Sequence, residues 1–129
     1  MEILNEKNIR KFDINERLIN LAVSIIKVCE SVNTSKSGVH LTSQLLRSGT
    51  SPALNYGEAQ SAESRNDFIH KLKVALKELR ESYNSLQIIQ RAELSNKVQL
   101  IENTSKECNE LIAILVKSIE TAQKNNHVK

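Results

Sequence analysis

Apolar side chains recur every three or four residues along most of this chain, and that period predicts four amphipathic helices. The predicted helices cover about 14–32, 39–60, 62–91 and 96–123. The third has the most regular apolar stripe, which contains Phe68, Leu72, Ala75, Leu76, Leu79, Tyr83, Leu86 and Ile89. It would extend roughly 40 Å at 1.5 Å per residue.

Short polar residues mark the predicted helix ends. Asp13 or Asn15 is the expected N-cap of the first helix, because such side chains accept hydrogen bonds from free amides of the first turn. Gly38 is the predicted break before the second helix. Ser64 is the predicted N-cap of the third helix, with Asp67 at the capping-box position.

Four amphipathic helices with short connections bury their stripes only by packing together. The sequence therefore predicts an all-α fold, an antiparallel up-down four-helix bundle. Pro52 removes a backbone donor, so the second helix is expected to bend near it. The 129 residues fit one domain, 1–129, with a polar lead at about 1–13 and a frayed tail at about 124–129.

Composition narrows the cellular setting. No apolar run approaches the ~20 residues that cross a bilayer. The first residues mix acids and bases instead of forming a signal sequence. We therefore expect a cytoplasmic protein without membrane contact. Cys29 and Cys108 lack CxxC spacing and fall on apolar faces, so we expect reduced core thiols.

Catalytic and metal-binding motifs are missing from the sequence. It contains no glycine-rich phosphate loop, HExxH or GxSxG. Bundle metal sites use Glu-x-x-His pairs, and only Asp67 with His70 approaches that spacing. Glu81 lies four residues after Lys77, where an ion pair is simpler than a pair of acids with Glu78. The sequence predicts no metal, no cofactor, no small-molecule substrate and no enzyme.

Basic residues form a stripe on the third predicted helix, and the chain has a net charge of +3. The stripe contains Lys73, Lys77, Arg80 and Arg91, with Asn84 and Gln87 between them. It could lie along a phosphate backbone, or it could be a solvated outer face. Proteins that bind single strands add aromatic platforms, and Tyr56 and Tyr83 are the only tyrosines. No base-reading cluster is evident, so little sequence preference is expected.

One segment carries a family signature. The stretch RSGTSPALNYGEAQSAESRNDFIHKLKVALKELRES, residues 47–82, resembles bacterial four-helix-bundle proteins known from intervening sequences of 23S ribosomal RNA genes. The same fold includes the accessory variability determinant of diversity-generating retroelements. Matching positions are Arg47, Ser48, Ser51, Asn55, Glu58, Ala59, Glu63, Ser64, Asp67, Phe68, Lys71, Ala75, Lys77, Glu78, Arg80 and Glu81. The chain departs at Ser85, where relatives commonly carry a large aromatic residue.

The resemblance implies a small cytoplasmic bundle that assembles as a ring-like homopentamer and has no established catalytic activity. One branch of the family uses a basic surface to bind nucleic acid and a reverse transcriptase. The function expected from the resemblance is therefore a non-enzymatic oligomeric scaffold that binds nucleic acid or a nucleic-acid enzyme. A protein-protein adaptor without a nucleic-acid role is the alternative. Ile69, Val74 and Ile88 are expected outside the bundle core, where exposed apolar patches mark interfaces.

The same segment suggests a polar network between the second and third helices. Asn55 and Glu58 would face the start of the third helix, where Lys71 or Arg65 could pair with Glu58. A buried polar group has to be hydrogen-bonded, so we expect a structural network rather than a ligand site or an active site. If Glu58 were a buried carboxylate, its removal would cost roughly 3–5 kcal/mol. The small residues around Gly49 would let the helices approach closely.

Overall fold

A computed structural model describes the backbone of residues 6–127 and the side chains of residues 14–125. It contains four helices: α1 (Glu6–Ser31), α2 (Lys36–Gln60), α3 (Arg65–Arg91) and α4 (Val98–His127). Each helix packs against its neighbours in the chain, and α1 closes the bundle against α4. The predicted all-α four-helix bundle is confirmed. None of the described helices has an apolar stretch able to span a bilayer.

The first and last helices are longer than predicted. Because α1 begins at Glu6, Asp13 and Asn15 lie inside it and neither is its N-cap. Residues 6–13 contain neither proline nor glycine, so the helix continues through most of the predicted polar lead. At the other end, α4 continues to His127, and residues 128–129 of the predicted frayed tail lie outside the described residues.

The break predicted at Gly38 is wrong. Helix α2 begins at Lys36, and Ser35 is its N-cap, with the Ser35 hydroxyl accepting the Gly38 backbone N–H at 3.1 Å. A Cβ at Gly38 would collide with the carbonyl oxygen of Asn33. Gly38 therefore lets the preceding turn fold tightly against the first turn of α2.

The N-cap predicted at Ser64 is confirmed, since its hydroxyl accepts the Asp67 backbone N–H at 3.0 Å. At the other end of α3, Glu93 adopts a left-handed backbone with φ of 56°. The Leu94 amide then donates to the Ile89 carbonyl at 3.0 Å, which closes the helix C-terminus.

The core is mostly aliphatic, and Tyr56 is its buried aromatic side chain among the described residues. Its largest fully buried side chains are Leu18, Leu21, Ile25, Val28, Leu45, Leu72, Leu79, Leu86, Ile89, Ile101, Leu111 and Leu115. Ile69 is also buried, so its predicted position outside the core is wrong, whereas Ile88 is half exposed as expected. Ile69 lies three residues before the fully buried Leu72, so both side chains fall on the inner side of α3.

Helices α1 and α2 approach closely where Gly49 faces Ile25. A Cβ at Gly49 would lie 2.5 Å from Cδ1 and 2.6 Å from Cγ2 of Ile25. Pro52 follows three residues later, and α2 continues through it as one helix. The bend near Pro52 stays a prediction.

Both cysteines are free in the described structure; Cys108 is buried in the core, whereas Cys29 is half-buried. Burial raises the pKa of Cys108 to about 12 and that of Cys29 to about 11. The Cys108 thiol lies 3.2 Å from the Leu79 carbonyl and donates to it.

Candidate nucleic-acid interface

The basic stripe lies on the solvent side of α3. Lys73, Lys77, Arg80 and Arg91 are all exposed, and their three- and four-residue spacing keeps them on one face. Eighteen residues separate its ends, so the stripe is about 27 Å long at 1.5 Å per residue.

Little within the protein neutralises these charges. Within the part of the chain that the structure describes, none of the four forms an ion pair. The predicted pair between Lys77 and Glu81 is not made. Arg91 donates only to the side-chain oxygen of Gln87, at 3.3 Å. An anionic partner would therefore meet four cations without first breaking internal salt bridges.

Ion pairing occurs on other faces of the bundle. The Arg17 guanidinium on α1 bonds both carboxylate oxygens of Glu107 on α4, at 2.7 and 2.8 Å, and reaches Glu110 at 3.1 Å. The hydrogen bond from Arg17 holds the pKa of Glu107 below its usual range. This contact ties the first helix to the last and leaves the α3 stripe untouched.

The expected polar network is only partly assembled. Lys71 donates to Glu58 at 3.0 Å, and this hydrogen bond raises the pKa of Lys71. Asn55 instead bonds the carbonyl and hydroxyl of Ser51 within α2, at 3.1 and 2.8 Å. Among the described residues, neither Asn55 nor Arg65 bonds Glu58.

Glu58 is not a buried carboxylate. Its side chain is 59% exposed, because it lies near the C-terminal end of α2, beside the connection to α3. The large cost expected for its removal was based on burial and is therefore wrong. An exposed pair of this kind contributes little to stability, because water screens both charges.

The buried polar contact between α2 and α3 lies elsewhere and was not predicted from the sequence. Ser82 and Ser48 are both buried, and their hydroxyls lie 2.8 Å apart. One turn away, a carboxylate oxygen of Glu78 is buried without a hydrogen bond, 4.0 Å from the Arg47 guanidinium. The available signal was the placement of serines on otherwise apolar helix faces. Such serines let α2 and α3 pack closely and fix their register.

Metal-binding clusters are absent from the described residues: no three His, Cys, Asp or Glu side chains lie close enough together to hold an ion. Asp67 and His70, which lie near the start of α3, are therefore not part of such a cluster.

Comparison with known proteins identifies a family and similar solved structures. The sequence profile of the family described as 23S rRNA-intervening sequence protein matches residues 10–117. A crystal structure from Bacteroides thetaiotaomicron, described as a protein with unknown function from the S23 ribosomal protein family, superimposes with a TM-score of 0.75. It is 31% identical, and the match covers 82% of this chain and 97% of the other. The curated proteins gave no match. Neither match names a catalytic activity.

Proposed function

Because the chain belongs to the family of 23S rRNA-intervening sequence proteins, we propose that it is a non-enzymatic helical scaffold that binds nucleic acid. The observation that carries this proposal is the exposed stripe of Lys73, Lys77, Arg80 and Arg91, whose charges lack acidic partners in the described structure. The same basic residues could instead bind a nucleic-acid enzyme such as a reverse transcriptase.

The stripe has suitable dimensions for a phosphate backbone. Its length of about 27 Å corresponds to the rise of about eight base pairs along the axis of duplex DNA, at 3.4 Å each. A protein that places cations against phosphates releases condensed counterions, which gives affinity without requiring a base sequence.

A second surface supports self-association. Ile19, Val23 and Ile26 form an exposed apolar row on α1, and Leu46 and Leu54 are exposed on α2. Because α1 and α2 are neighbours in the bundle, both sets of exposed side chains lie on the outside of the same helix pair. Exposed apolar surface of this kind usually marks an interface.

We propose that this apolar surface joins copies of the chain into a homo-oligomer, with a pentameric ring as the expected state. Assembly would repeat the α3 stripe around the particle and multiply a weak affinity per protomer. Light scattering tests this part directly, since a 14.5 kDa particle at micromolar concentration would contradict assembly.

The nucleic-acid proposal is tested by removing the stripe's charge. Replacing Lys73, Lys77, Arg80 and Arg91 with Gln keeps helix propensity and lowers the net charge from +3 to −1, a change of four charges. Fluorescence anisotropy with labelled duplex and single-stranded oligonucleotides is expected to show that this variant binds much more weakly than the parent.

The matched control replaces four exposed lysines on other faces with Gln and produces the same net charge. These are Lys27, Lys36, Lys117 and Lys124. The control is expected to keep most of the parent's affinity. Equal losses in both variants would show that net charge, and not the α3 stripe, causes binding.

The alternative function, a protein-protein adaptor, is favoured by the same apolar surface on α1 and α2. Failure of the parent to bind any oligonucleotide at low salt would favour it. Pull-down from the native host with mass spectrometry would then identify the partner.

A further inference from the structure

A polar groove of about 340 Å³ runs between α3 and α4. Its lining is rich in carboxamides, namely Gln87, Gln90, Gln99, Asn103 and Asn109, and it contains the ring of Tyr83. The groove adjoins the basic stripe, because Gln87 lines the groove and also accepts a hydrogen bond from Arg91. A volume of this size lies within the range of ligand-binding pockets.

One side chain in this groove has an unmet bonding requirement. Ser105 is 5% exposed, and its hydroxyl is buried without a hydrogen-bond partner among the described residues. The neighbouring Thr104 is also buried, but its hydroxyl donates to the Leu100 carbonyl at 2.7 Å. Buried hydroxyls without partners are rare in native proteins. Because the hydroxyl is closed off from solvent, a small movement of the lining side chains would let a ligand atom in the groove supply the missing partner.

The carboxamides define the chemistry of such a ligand. A Gln or Asn side chain offers a donor and an acceptor side by side, which matches the edge of a nucleobase and pairs best with adenine. Gln99 already donates to Asn103 at 2.9 Å, and Gln90 donates to Glu102 at 3.3 Å, so these groups are held in place. An amide oxygen that has accepted one bond keeps a second lone pair for a ligand.

Stacking and charge complete the site. Tyr83 is partly buried, and a tyrosine ring can stack on a base regardless of its identity. Lys106, an exposed cation, lines the groove, and Arg91 bonds to Gln87 at its α3 side. Both cations could contact the phosphate attached to a base in the groove.

We infer that this groove binds one unpaired nucleobase, with adenine preferred, next to phosphates held on the α3 stripe. For a nucleic-acid strand, this inference rests on the proposed function. A free nucleotide presents the same base, and it could bind the groove without a strand. A paired base in a duplex has both faces stacked on its neighbours and cannot stack on Tyr83, so single strands are expected to bind more tightly than duplexes.

The test compares two groove variants with a matched control. Ser105→Ala removes the hydroxyl that lacks a partner, and Tyr83→Leu removes the stacking ring. Ser85→Ala, a buried serine lining a separate groove between α2 and α3, is the control. The probes are a labelled ten-nucleotide oligo(dA), oligo(dT) of equal length, a hairpin duplex, and AMP followed by NMR chemical shifts.

The parent is expected to bind oligo(dA) several-fold more tightly than the duplex. Tyr83→Leu should weaken oligo(dA) binding about tenfold, within the range measured for base stacking. Ser105→Ala should weaken it about threefold or more without lowering the urea midpoint, because a hydroxyl without a partner adds no stability. Duplex affinity and the Ser85→Ala control should not change.

Oligo(dA) affinities equal to the parent's in both groove variants would overturn the base site, while stripe-dependent duplex binding would leave the proposed function intact. AMP shifts at Tyr83 and Ser105 without any oligonucleotide binding would support the base site for a free nucleotide and refute the proposed function. Binding of neither oligonucleotide nor AMP would overturn both proposals.

Discussion

Two glycines in the same helix are predicted to respond to alanine in opposite directions. Both Gly49 and Gly57 lie inside α2, where alanine is intrinsically favoured by about 0.8–1.0 kcal/mol. At Gly57 a new Cβ meets nothing within 4 Å. Gly57→Ala is therefore expected to stabilise the protein by about 0.5–1 kcal/mol.

Gly49→Ala is expected to destabilise it. The new Cβ would lie 2.5 Å from Cδ1 and 2.6 Å from Cγ2 of Ile25, a fully buried side chain. Two atoms of Ile25 would have to move, so a simple rotation of its terminal methyl cannot remove the clash. Overpacking of this kind costs about 1–3 kcal/mol, and after the gain in helix propensity is subtracted the net loss is up to about 2 kcal/mol.

Urea denaturation at one fixed protomer concentration measures both changes, because assembly would make stability depend on concentration. The double variant Gly49→Ala with Ile25→Val tests the cause. Removal of one methyl group from Ile25 should recover part of the loss, giving a non-additive pair. Stabilisation by Gly49→Ala, or strict additivity with Ile25→Val, would refute the close approach of α1 and α2 at this point.

Three other changes have defined outcomes. Glu93→Gly should raise the free energy of unfolding by about 1 kcal/mol in urea denaturation, because glycine adopts the left-handed backbone without strain. Arg17 lowers the pKa of Glu107, so this pair stabilises the fold above the usual pKa of 4.5 and less as pH falls through the folded value. Arg17→Gln should therefore reduce the loss of thermal stability on acidification. Cys29 and Cys108, with pKa values raised to about 11 and 12, should resist a thiol reagent at pH 8 until urea unfolds the chain.

The helices could be predicted because apolar periodicity and local capping act over a few residues. Ser64 illustrates this, since its capping bond joins positions three residues apart. Asp13 shows the limit: a good capping residue in sequence lies inside α1, because the preceding residues also favour helix. A glycine alone predicts a helix break. The close approach of Gly38 to Asn33, which explains the glycine inside α2, depends on how the turn folds and cannot be read from the sequence.

Contacts between helices were harder to predict. The pairing of Glu58 with Lys71 joins the two ends of a short connection, but the exposure of Glu58 depends on where the bundle ends. The bond between Ser48 and Ser82 depends on the register of α2 against α3, which periodicity alone does not specify. The hydroxyl of Ser105 gave no signal in the sequence, because a serine on a helix is informative only once its surroundings are known.

The central claim, that the α3 stripe holds phosphates, is tested most directly by the salt dependence of nucleic-acid binding. If Lys73, Lys77, Arg80 and Arg91 each neutralise one phosphate, the logarithm of the binding constant per protomer should fall with the logarithm of salt concentration with a slope of about 3. The variant with Gln at these four stripe positions should show a slope near zero. The control variant, with Gln at four lysines on other faces, should keep the parent's slope. Equal slopes for the parent and the variant with Gln at the four stripe positions would contradict the account.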